Sequence, residues 1–265
     1  VGDDPFGRFL AQTLRDAGVD VTTLSFSGQA RTALAFVSLR ADGERDFMFY
    51  RHPSADMLYS PADVDIHAAA LRAARAFHFG SISLIGEPAR AATLRAIFLA
   101  REGGALISYD PNLRLPLWPS AQAARAGMLL GLEQAAIVKV SEEELEFMTG
   151  ASDETEALLR LWRPGLKMVA ITRGAAGSTY VTPRFRGSVP GFPVQAVDTT
   201  GAGDAFMAGL LRGVLADPAV LEDEDELIRV YRFSNATGAL TATQRGAIPA
   251  LPFPEDVYRM LANLT

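Results

Sequence analysis

From Pro61 onward, short apolar runs alternate with amphipathic stretches, and that alternation leaves few folds open. The apolar runs are FHFGSISL (77–84), ALISYD (105–110), AAIVKV (135–140) and KMVAIT (167–172). Helical patterns lie between and after them at 65–75, 87–102, 120–133 and 141–149. A hairpin-like STYVTPRFRGSV (178–189) and helices at 202–215, 224–242 and 254–262 close the chain. Strands that are apolar on both faces and separated by helices predict a mainly parallel sheet covered on both sides. Such sheets bind ligands at the carboxyl ends of their strands.

The first sixty residues follow another rule. Pro5 to Ala17 reads as a helix, with Asp3 and Asp4 before it and Gly18 after it. Residues 32–39 (TALAFVSL) and 45–51 (RDFMFYR) are joined by ADGE, a hairpin signal. In the second run Phe47, Phe49 and Arg51 share one face, and Met48 and Tyr50 the other. This pair reads as a small separate sheet.

Composition removes several functions. The 265 residues carry a net charge of −6, which argues against nucleic acid as a partner. There is no cysteine, hence no thiolate nucleophile or cysteine zinc site. No apolar run approaches the roughly 20 residues that span a bilayer. The only lysines, Lys139 and Lys167, do not follow a GxxxxG loop, so a Walker A loop is absent. His52, His67 and His78 show no metal-ligand spacing.

The chemistry concentrates in VDTTGAGDAFMAGLL (197–211), where Gly201, Ala202 and Gly203 lead into Asp204 at the start of an apolar helix. A helix start offers unpaired N–H groups and the positive end of a dipole, which suit phosphate. Asp204 there reads equally as a carboxylate balancing the dipole or as a general base beside a phosphoryl group held by the amides. A dinucleotide fingerprint fails because Phe206 stands where its third glycine belongs.

VDTTGAGDAF resembles the signature of the ribokinase-like (PfkB) carbohydrate kinases. RHPSADML (51–58), FGSISLI (79–85), SYDPNLRLPLWPS (108–120), KVSEEELEFMTG (139–150), FRGSVPGF (185–192) and QRGAIPALP (244–252) are similar to the fructokinase branch, in the same order. The resemblance implies a three-layer α/β/α sandwich as one domain over 1–265, with a β-lid from about residues 30–60. It also implies that a strand and a sugar-gripping segment precede residue 1 and contribute to the lid. The implied reaction is ATP plus D-fructose giving ADP plus fructose 6-phosphate. Ribose or 2-keto-3-deoxygluconate are the neighbouring substrates, and a non-catalytic binding or regulatory relative is the rival class.

Residue by residue, the resemblance makes Asp204 the base and Gly201, Ala202 and Gly203 the anion hole. It places Thr172, Gly174, Asn235 and Gly238 at the nucleotide, with Gly238 letting the base pack close. Arg51, Asp110 and Arg114 fall to the sugar or the transferred phosphate. Glu144 would place Mg2+ through water, in a stretch (SEEE, 141–144) that also has the form of a helix capping box. Asp198, Thr200 and Gly246 would border a monovalent cation, taken as K+. The lid's two apolar faces suggest a homodimer through the lid, and a cytoplasmic location is expected, with an organelle leader left open.

Overall fold

The structure is a computed structural model that describes residues 1–39 and 45–263. It resolves into two compact units, one of residues 1–105 with 113–128, the other of 106–112 with 129 onward.

In the first unit, helix α1 (Pro5–Asp16) starts at Asp4, whose carboxylate accepts from the Gly7 N–H at 2.9 Å and the Thr32 N–H at 2.8 Å. One residue thereby caps a helix and ties it to a segment 28 positions away. Backbone donation from Thr32 and then Gly7 lowers the Asp4 pKa to about 2. A carboxylate depressed in the folded state stabilises the fold above its unfolded pKa of about 4, and that stability is lost as pH falls toward 2. Asp4→Asn is therefore expected to lower the melting temperature at pH 7 and to shrink the gap from wild type between pH 4 and pH 2. Parallel thermal melts across that range check it.

Strands β1 (Leu34–Leu39) and β2 (Arg45–Tyr50) pair antiparallel, with Leu34 opposite Tyr50 and Phe36 opposite Met48. The expected small sheet is present. The ADGE (41–44) expected to join the strands and the side chain of Phe47 lie outside the described residues. Phe36, Met48 and Tyr50 are all exposed on one face, with the rings of Phe36 and Tyr50 5.4 Å apart. Phe49 is half-buried and Arg51 buried, as the alternation predicts.

The helix expected over 65–75 is instead α2 (Pro61–Ile66) and α3 (Ala68–Ala73), broken at His67. Ser60 and Asp63 form a capping box with Pro61 at the first helical position, which starts the helix early. Strand β3 (Ala76–Gly80) is also shorter than expected, because Ser81–Leu84 turns into a single 3-10 turn. Helix α4 (Ala89–Glu102) buries Ala92, Ala96 and Leu99 against Val64, Leu71 and Phe77.

The second unit holds β4 (Leu106–Asp110), β5 (Ile137–Ser141), β6 (Met168–Thr172), β7 (Ser178–Val181) and β8 (Arg186–Val189), in that order. Pairing is parallel from β4 to β6 and antiparallel at β7 and β8. Helix α5 (Ala121–Gln134) connects β4 to β5; α6 (Glu142–Thr149) and α7 (Glu154–Leu161) connect β5 to β6. Helix α7 was not among the sequence expectations, although Asp153 caps it by accepting from the Glu156 N–H at 2.8 Å.

Ile137, Met168, Ala170, Tyr180 and Val189 make one apolar sheet face, covered by α8 (Ala202–Ala216) and α9 (Glu224–Ala242). Val138, Val140, Val169 and Ile171 alternate to the other face and are fully buried too. Burial on both faces is why these strands read as continuous apolar runs. Tyr231 sits edge-on to Tyr180 and Phe206, at 5.4 and 5.8 Å. Helix α10 (Pro254–Ala262) packs Val257 onto Phe233 and Ala236 of α9.

Candidate active site

The second unit alone assembles most of the expected site, around the start of α8. Gly201 caps that helix at φ +81°, a left-handed conformation that glycine adopts without a Cβ penalty. The Ala202 N–H is spent inside the turn on the Thr199 carbonyl at 3.2 Å. Among the described residues that leaves the N–H groups of Gly201, Gly203 and Asp204 as the open donors, so Asp204 takes the place of Ala202 in the expected set of Gly201, Ala202 and Gly203.

Four acidic side chains gather near this turn, and three are engaged. Asp198 accepts from the Thr200 N–H at 2.9 Å and the Gly246 N–H at 3.0 Å, so it stitches the two loops assigned to a monovalent cation. Glu144 accepts from the Ser141 N–H at 3.0 Å, and Ser141 Oγ accepts from the Glu144 N–H at 3.2 Å, a complete capping box. Asp110 is held by Lys139 at 2.9 Å. Asp204 is exposed and accepts no hydrogen bond or ion pair among the described residues. A carboxylate left open beside unspent amides has the form of a base next to an anion site.

The Asp110–Lys139 pair escaped the sequence reading. Both side chains are buried, and Asp110 Oδ1 has no hydrogen-bond partner. Burial pushes the Asp110 pKa up to about 6, Lys139 opposes that, and the charges of Glu144 and Asp204 add to the rise. One signal was available: Lys139 is a lone charge inside the otherwise apolar strand AAIVKV.

A cavity of about 540 Å3 adjoins the turn. Thr172, Gly174, Phe192, Ala202, Asn235 and Gly238 are among its walls, so the four residues expected at the nucleotide come together. Its size fits the roughly 300–1,000 Å3 range of small-molecule sites. At Gly174, φ is +52° and a Cβ would meet nothing within 4 Å, so its missing side chain leaves open space. At Gly238 a Cβ would lie 3.0 Å from the Ala202 carbonyl oxygen, so its smallness serves the approach of α9 to α8.

Asn235 is saturated by the protein. It accepts from Ser178 Oγ at 2.8 Å and donates to the carbonyls of Val189 at 3.1 Å and Pro190 at 3.2 Å. Its amide shapes the cavity wall and has little left for a ligand. Asn235→Leu strands those buried partners and is expected to cost about 2–4 kcal/mol in a urea melt.

Arg173, next to Thr172 and Gly174, donates to Glu142 at 3.1 Å and also contacts Glu154, which Arg186 reaches at 3.0 Å. Burial would raise the Glu154 pKa, but hydrogen bonds from Arg173 and Arg186 outweigh it and lower it. The network fixes the β6–β7 turn that bears Gly174.

Two expected residues belong to the first unit. Arg51 is buried and donates through Nε and Nη2 to Asp56 at 2.8 and 2.6 Å, so a packed ion pair holds its guanidinium. Arg114 is half-buried and donates to the Leu113 carbonyl at 3.0 Å. Just before it, Asn112 in the second unit takes φ +51°, a left-handed conformation that asparagine tolerates better than most residues. Among the described residues no cluster of three His, Asp or Glu side chains could hold a metal, and no helix is long and apolar enough to cross a membrane.

Comparison with known proteins gives this geometry a context. The chain is 54% identical over 264 residues to fructokinase-1 of Oryza sativa subsp. japonica, covering 99% of this chain and 81% of that protein. It superposes on the crystal structure of a Xylella fastidiosa fructokinase with bound ATP, with a TM-score of 0.93 and 33% identity, over 100% of this chain and 84% of that one. A Vibrio cholerae O395 fructokinase bound to fructose, ADP and calcium gives a TM-score of 0.86 at 36% identity, over 98% and 83%. A double mutant of the Vibrio enzyme, bound to fructose, ADP and potassium, gives 0.86 at 35% identity over the same shares. The family model for pfkB carbohydrate kinases matches residues 1–254, and the chain belongs to that family.

Proposed function

We propose that the chain is an ATP-dependent fructokinase, transferring the γ-phosphoryl group of ATP to the 6-hydroxyl of D-fructose. One observation carries the mechanism: the open carboxylate of Asp204, three residues past the left-handed cap Gly201, beside N–H groups with no acceptor among the described residues. Asp204 takes the proton of the attacking hydroxyl as the new O–P bond forms. The bond from the γ-phosphorus to the bridging oxygen breaks, and ADP leaves. Amides of Gly201, Gly203 and Asp204, with the positive end of α8, hold the charge on the transferring group.

The adenosine end occupies the cavity walled by Thr172, Gly174, Asn235 and Gly238. Glu144 would hold Mg2+ through water, and the ion would supply positive charge to the phosphates. Potassium is assigned to the loops of Asp198, Thr200 and Gly246, which Asp198 already joins. Asp110, Arg114 and Arg51 are assigned to the sugar side, Arg51 by fixing the lid through Asp56. We assign residues 1–265 to one kinase domain with its lid at about 30–60, working in the cytoplasm.

The exposed face of Phe36, Met48 and Tyr50 is proposed to meet its copy in a homodimer; a monomer by light scattering at micromolar concentration contradicts this.

The substrate is tested by coupled ADP release with ATP, Mg2+ and K+, offering fructose, ribose, glucose and 2-keto-3-deoxygluconate in parallel. Fructose is expected to give the highest kcat/KM. Preference for another sugar moves the substrate and keeps the mechanism. No turnover, from folded protein that binds ATP, favours a non-catalytic module.

A further inference from the structure

We infer that Lys139 is a positioning residue of the phosphoryl-transfer site, a buried ammonium that backs the anion hole through the gap left at Gly203. The inference rests on the kinase reading above and deepens it.

Lys139 rises from β5 with its side chain 9% exposed, and one of its three N–H donors is spent on Asp110, whose side chain is 3% exposed. A Cβ on Gly203 would lie 3.0 Å from Lys139 Nζ and 3.7 Å from Cε. The ammonium therefore fills the space a side chain would need, which accounts for the second glycine of GAGD. No other hydrogen bond or ion pair of Lys139 is present among the described residues.

Stability alone is a poor reason for this arrangement. Desolvating two charges often costs more than their attraction returns, and apolar residues of similar volume do as well or better. The neighbouring end of α8 is also positive, so the ammonium meets repulsion there when no anion is bound. An arriving phosphoryl group reverses that sign. Its charge is then met by the amides in front and by a fixed cation behind Gly203, while Asp110 keeps the ammonium from swinging toward Asp204 or Glu144. Charges placed before the reaction need no reorganisation during it, which is where such sites gain their rate.

The test compares the whole enzyme with Lys139→Met and Lys139→Cys. The chain has no cysteine, so the new thiol is the only one present. It is alkylated in urea with bromoethylamine, which rebuilds an ammonium at the length of lysine, or with iodoethane, which leaves an uncharged ethyl thioether. The protein is then refolded and checked by circular dichroism. Lys139→Met is expected to lower kcat about 100-fold, the scale of losing one preorganised donor, with KM for ATP within about 3-fold. Binding of ADP with fluoroaluminate and fructose should weaken by a similar factor. Aminoethylation is expected to recover at least about 10-fold in kcat and ethylation none. Equal recovery by both reagents, or a methionine variant as active as wild type, overturns the inference and leaves the kinase reading intact. A wild type that phosphorylates no sugar overturns both.

Discussion

Asp204→Asn is expected to lower kcat by about 100- to 10,000-fold, the range over which a positioned base contributes to proton transfer. The substitution keeps the shape of the side chain and removes only its ability to accept a proton as an anion. Asp204 is exposed and bonded to no described residue, so nothing in the fold depends on it beyond its favourable place in the first turn of α8. That place is worth at most about 1 kcal/mol, so unfolding curves should nearly coincide. KM for ATP should stay within a few fold, because the cavity walls do not include Asp204. Steady-state kinetics beside a urea melt check all three statements. A variant retaining more than about a tenth of wild-type kcat would remove Asp204 from the mechanism, since such a loss is too small for a missing base.

Gly201→Ala is expected to damage both rate and stability, and for a different reason. Gly201 sits at φ +81°, and a methyl group there would lie 3.3 Å from the Cα and Cβ of Ala247. Forcing an alanine into the left-handed region costs about 1–2 kcal/mol. If the turn relaxes instead, the amides of Gly201 and Gly203 lose their aim. Either response should appear as a melt shifted to lower urea together with a kcat reduced about 100-fold. Asp204→Asn, by contrast, should spare stability. The pair of variants thus separates the role of the base from the role of the turn.

The local geometry of the candidate site was legible in the sequence because it is built from short stretches. The glycine-rich turn with its acid three residues past the cap, and the serine–glutamate capping box elsewhere in the chain, each span only a few positions. The alternation of apolar strands with helices carried the sheet, and Asp-Gly between two apolar runs carried the small hairpin. What escaped depends on register. Lys139 meets Asp110 because β4 and β5 run side by side, with Tyr109 opposite Val138, across 29 residues of intervening chain. Arg173 meets Glu154 across 19 residues, for which no short pattern exists. Asn235 looked like a ligand contact, yet it is occupied by carbonyls 45 and 46 residues away. The break at His67 shows the opposite failure: a local signal, the capping box at Ser60, was present and the apolar pattern overrode it.

The most direct measurement of the central claim is the product itself. Fructose, ATP, Mg2+ and K+ are incubated with the wild-type protein and followed by phosphorus and proton NMR. Fructose 6-phosphate and ADP appearing in equal amounts, with the phosphorus coupled to the protons on carbon 6, is the predicted result. Phosphate on another hydroxyl, or inorganic phosphate released with the sugar unchanged, would contradict it.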